Sequence, residues 1–156
     1  MVGNVIRRLP DELQQWFPWE TLYSRSQIWA SPERNRPIDV SGRFSTDYDA
    51  DTVAFQRKLR QKKLGNELDT EKVGKWRYWR ELRRSKVLVS PFGWGEICGR
   101  DFEGFMSGCL LVKPHMDHLE TWPPVYEEGE TYLGVDWDLS DLPETVDQAL
   151  ENYEVT

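Results

Sequence analysis

The stretch KVLVSPFGWGEICGRDFEGFMSGCLLVK, residues 86–113, decides the fold. KVLVS (86–90) and CLLVK (109–113) are continuous apolar runs, the pattern of strands covered on both faces. RDFEGFMSG, between them, has the length of a short helix. Two such strands joined by a helix make a parallel βαβ unit with a right-handed crossover. Ligands of parallel sheets collect at the carboxyl ends of the strands, and PFGWGEICG is the segment that leaves the first run there and enters the helix. Gly93, Gly95 and Gly99 would let the backbone approach a ligand closely, and the N–H groups opening the helix attract phosphate. Arg100 can offer a diphosphate a bidentate contact. Glu103, one turn further on, is expected to face the loop and accept hydrogen bonds from ribose hydroxyls. Lys113 is a candidate phosphate contact, and His115, just beyond the second run, a candidate lining of the same pocket. The same residues have a plain structural reading. Glycines serve tight turns, Arg100 can pair with Asp101 or Glu103, Trp94 can be core, and GWG is not the GxGxxG dinucleotide fingerprint.

Upstream, PIDVSGRF (37–44) reads as a short strand, and DADTVAFQRKLRQKKL (49–64) as a helix with an imperfect apolar stripe. A second helix is expected from about Thr70, with Val73, Trp76, Trp79 and Leu82 on one side and Lys75, Arg77, Arg80, Arg83 and Arg84 around the rest. Its basic surface suits a solvated face first, with an anionic membrane or a nucleic acid as the other readings. Downstream, TYLGVDW (131–137) predicts a last strand. SDLPETVDQALENY then predicts a helix capped by Ser140 or Asp141 and carrying Leu142, Val146 and Leu150. The expected fold class is α/β, a parallel sheet flanked by helices.

Composition narrows the functions. At 156 residues and 38% hydrophobic content the chain can bury one core, so one domain is expected. The net charge of −7 is unevenly spread: residues 1–113 carry all 20 Lys and Arg against 15 acids, while 114–156 carry 12 acids and no base. An acidic tail on the same domain opposes a polyanion, so nucleic acid is not the expected partner and a small anionic ligand is. No run approaches the roughly 20 apolar residues of a membrane span, and the N-terminus lacks a signal-peptide core. Cytoplasmic residence is expected, peripheral at the membrane if the acceptor is lipid-linked. Cys98 and Cys109 form neither a disulfide framework nor a zinc site and are expected as reduced thiols. His115, Asp117 and His118 lie close in sequence without a fourth ligand at familiar spacing, so no metal is assigned.

Several phrases occur in an order that resembles a known family. SPFGWGEICGRDFEGFMSGCLLVKP, HLETWPPVY, ETYLGV and WDLSDLPETVDQAL look like the C-terminal, donor-binding half of GT-B glycosyltransferases, especially bacterial glycosyltransferase-like and exostosin-like sequences. The likeness runs from about Tyr78 to Leu150 and more weakly to RPIDVSGRF. It implies a Rossmann-like domain forming one half of a GT-B fold over 37–156, preceded by an aromatic-rich lead-in or linker over 1–36. It implies a nucleotide-diphosphate-sugar site with Glu103 on the ribose, and the candidate site residues taken together are Phe92, Gly93, Trp94, Gly95, Glu96, Arg100, Glu103, Lys113 and His115. Glu96 resembles the earlier acid of the family's glutamate pair, at a spacing one residue shorter. No cofactor is implied. The acceptor would be a glycan or a lipid-linked molecule. The expected partner is the missing acceptor domain, or a second copy covering the aromatic segment Trp16 to Trp29; without it the chain would bind donor but not transfer sugar. The alternative is a noncatalytic binding or assembly module on the same fold.

Overall fold

A computed structural model of the chain describes residues 35–44 and 71–153. The predicted helix over 49–64, the N-cap at Thr70 and the aromatic segment from Trp16 to Trp29 lie outside the described residues.

Every strand expected over the described residues is present. β1 (Ile38–Ser41), β2 (Ser85–Val89), β3 (Leu110–Pro114) and β4 (Tyr132–Val135) form one sheet in the order β1-β2-β3-β4. All three pairings are parallel, with Val40 opposite Val87, Val89 opposite Val112 and Val112 opposite Leu133. The helices are α1 (Lys75–Leu82), α2 (Gly99–Ser107) and α3 (Leu142–Glu151).

Alternation along the strands splits the core into two layers, because successive side chains point to opposite faces. Val87, Val89, Val112 and Val135 face one way and pack with Leu139, Leu142, Val146 and Ala149 at α3. Leu88, Leu111 and Tyr132 face the other way and meet Leu82, Cys109 and Met116, with Tyr78, Trp79 and Phe105 of α1 and α2 around them. The described residues therefore form a Rossmann-like α/β fold with helices on both faces of a parallel sheet. The βαβ unit β2-α2-β3 stands as predicted. The connection from β3 to β4, residues 115–131, contains no helix.

Close packing of α2 on β2 depends on Gly104, where an added Cβ would sit 2.6 Å from Leu88 Cδ2. The helix closes at Gly108 in the left-handed conformation, φ 67°, which a side chain would strain.

One expectation about the second helix is corrected. α1 begins at Lys75, after Gly74, and Trp76 leaves the apolar stripe: it is 71% exposed, and the buried side consists of Tyr78, Trp79 and Leu82. Positions 73, 76, 79 and 82 repeat every three residues, whereas a helix turns every 3.6, so a strict three-residue stripe rotates off the core. The lead-in, expected to end at 36, already contributes to the fold at its last residue. Arg36 is buried and donates to the carbonyls of Ser85 (2.6 Å) and Ser107 (2.7 Å), tying the entry to β1 to the start of β2 and the end of α2.

Candidate functional site at the carboxyl ends of the strands

Ser90 to Cys98 leaves the carboxyl end of β2 and runs into α2, and the way it is held depends on one buried pair. Lys113 lies on the α2 face of β3, beneath the loop, with its side chain fully enclosed. Its ammonium donates to Asp101 Oδ2 at 2.6 Å and to the carbonyl of Glu96 at 2.7 Å, and it sits 4.6 Å from the centre of the Tyr126 ring. Asp101, equally enclosed on α2, accepts three more hydrogen bonds: from Ser90 Oγ at 2.5 Å, from the Tyr126 hydroxyl at 2.7 Å and from the Cys98 backbone N–H at 3.1 Å. Charges removed from water persist only when partnered this fully. The result is a loop fastened at its first residue, at Glu96 and at Cys98.

The neighbours respond to this centre. Burial, then the hydrogen bond to Asp101, pushes the Tyr126 phenol well above its ordinary range, so it stays protonated and donating. Burial and then Asp101 likewise raise the Cys98 thiol. Cys98 is half-buried, and Cys109, whose thiol burial pushes up to about 11, donates to the Leu82 carbonyl.

The predicted site residues fall into two groups. On the β3 side, Phe92 lies half-buried with the Lys113 ammonium 5.5 Å from its ring centre. The Gly93 N–H closes a turn on the Gly95 carbonyl at 3.1 Å, and Trp94 stands 79% exposed. Glu96 meets His118 Nε2 through Oε1 at 2.8 Å, and His115 Nδ1 meets Glu128 at 3.1 Å. Lys113, expected as a phosphate contact, has its ammonium under the loop, where it meets Asp101 and the Glu96 carbonyl. On the β1 side, Arg100 lies half-buried, 3.5 Å from Ser90 Oγ and with its guanidinium 5.3 Å from the centre of the Phe44 ring. It forms no ion pair among the described residues. Glu103, expected over the loop, instead turns toward α1 and accepts from the Tyr78 hydroxyl at 2.7 Å. Burial and then the Glu103 charge raise the Tyr78 phenol, which holds that bond in place.

No group of three or more His, Cys, Asp and Glu converges as metal ligands among the described residues. Asp101, Ser90, Tyr126 and Phe44 were not anticipated as parts of the site. Asp101 had a signal, an acid in the first turn of a helix where the N-cap N–H needs an acceptor; Tyr126 had none, since it arrives from a long irregular connection. Chemically, the arrangement is a pinned loop beside an arginine that pairs with no carboxylate among the described residues, at the strand ends where ligands of parallel sheets bind. No protein-family model matches the chain, and no curated protein does either.

Proposed function

We propose that the chain binds a nucleoside-diphosphate sugar and is the donor-binding half of a glycosyltransferase of GT-B type. The observation that carries the reading is Arg100: a cation in the first turn of α2, at the carboxyl edge of the sheet, with an aromatic ring against it and no ion pair to an anion among the described residues. A diphosphate there would gain the guanidinium and the N–H groups of the helix start together. The loop needs no ordering on binding, because Lys113 and Asp101 already hold it. Glu103 keeps one carboxylate oxygen beyond its bond to Tyr78 and sits one turn from Arg100, within the same edge of the domain. Transfer would require an acceptor-carrying partner domain, because both reactants must be held together.

Titration calorimetry with a panel of nucleoside diphosphates and nucleotide sugars tests this. Binding that falls about tenfold or more in Arg100→Gln, the loss expected of a charge-assisted contact, supports it. Absence of binding across the panel, or binding indifferent to Arg100, sinks it. A noncatalytic module is the second reading, favoured by the way Lys113 and Asp101 fill the space under the loop that a phosphate would otherwise enter.

A further inference from the structure

The acids and bases of the two helices on the α1/α2 face are sorted by direction. α1 and α2 contain three acids, Glu81, Asp101 and Glu103, and all three turn inward to partners: Glu81 to Arg43 and Ser41, Asp101 to Lys113, Glu103 to Tyr78. The bases Lys75, Arg77 and Arg80 of α1 point to solvent and form no ion pair among the described residues. Among them stands Trp76, 71% exposed, one helical turn from Arg80. On α2 the outward positions are Phe102 and Met106, 42% and 44% exposed and again one turn apart. Across the sheet α3 is the reverse, with Glu144, Asp147 and Glu151 and no base. The outer surface of one helical layer is thus cationic and apolar together, and that of the opposite layer is acidic.

We propose that the α1/α2 face docks on an anionic lipid bilayer. Charge complementarity selects a polyanion, since arginines and lysines near an anionic leaflet each gain from its surface potential. The exposed apolar side chains select a bilayer over a nucleic acid. A tryptophan with basic neighbours is suited to the headgroup region, and Phe102 and Met106 project without the hydrogen-bonding groups that would read a base. The acidic layer faces away from the lipid in this orientation and incurs no repulsion at close range. Among the described residues no helix is long and apolar enough to cross a membrane, and the association proposed is interfacial, through exposed side chains of α1 and α2. The proposal is independent of nucleotide binding at Arg100.

Co-sedimentation of the full chain with phosphatidylcholine vesicles, with and without phosphatidylserine, reads it directly. The chain is expected to pellet with the anionic vesicles only and to be released at high salt. Arg77→Gln with Arg80→Gln should weaken binding about 25-fold, about fivefold per cation removed. Trp76→Ser should also weaken it, while Glu144→Gln with Asp147→Asn on the far face should not. All altered residues are exposed, and an unchanged circular dichroism spectrum and urea midpoint separate lost docking from lost folding. Equal binding to neutral vesicles, no binding to either, or an Arg77/Arg80 pair without effect overturns the proposal. So does capture of a single-stranded oligonucleotide through these arginines while vesicles are ignored.

Discussion

Lys113 shows that the position of a side chain and its partner are separate questions. A lysine closing a buried apolar strand is unusual enough to mark the carboxyl edge, yet its ammonium serves Asp101 and the Glu96 carbonyl inside the protein. Lys113→Met leaves the Asp101 charge buried without its counterion, and removing one partner of such a pair costs about 3–5 kcal/mol. Urea unfolding should show that loss, and Lys113→Met combined with Asp101→Asn should recover part of it; full stability in the single variant would contradict the account. Cys109 supplies a pH signature. Its thiol stands at about 11 in the fold against an ordinary value of 9.0, raised chiefly by burial. A group whose folded value is the higher stabilises fully below the unfolded value and loses that contribution as pH rises through the folded one. Stability should therefore decline between about pH 9 and 11, with a shallower decline in Cys109→Ala measured over the same range.

At the scale of elements, α2 on β2 is the joint most sensitive to volume. Gly104→Ala would favour the helix by up to about 1 kcal/mol in propensity. The new Cβ, however, would sit 2.6 Å from Leu88 Cδ2, and Leu88 is fully buried in the core layer with Leu82 and Leu111. Overpacking a filled core costs about 1–3 kcal/mol, so the crowding wins and the variant should melt lower; an unchanged or higher melting temperature would show that Leu88 can yield. The same helix was legible from its sequence because RDFEGFMSG is bounded by two apolar runs. α1 was legible only in part: its existence follows from apolar spacing, whereas its buried side was misread at Trp76, since a short three-residue spacing fits more than one face and only contact with β2 chooses among them.

Across the whole molecule, long-range ties complete what local pattern begins. Arg36 joins segments 49 and 71 residues away through two carbonyls, and each charged hydrogen bond contributes about 1.5–3 kcal/mol. Arg36→Met should lower the urea midpoint markedly, while Arg36→Lys, able to keep one contact, should lower it less; equal midpoints for all three proteins would remove Arg36 from the framework. Nothing in the run ERNRPID distinguishes that arginine from Arg34, because the distinction lies in where the chain returns. By itself the sequence determined the α/β class, the positions of β1 to β4, the βαβ unit and the loop at its carboxyl edge, because apolar runs and their period-two faces are local properties of the chain. Tertiary structure alone decided that Lys113 and Asp101 pair beneath the loop, that Glu103 turns to Tyr78, and that the bases of α1 and the acids of α3 lie on opposite faces. Those outcomes depend on which distant segments meet and on how much water the meeting removes, and a buried charge must find its partner wherever the fold puts one.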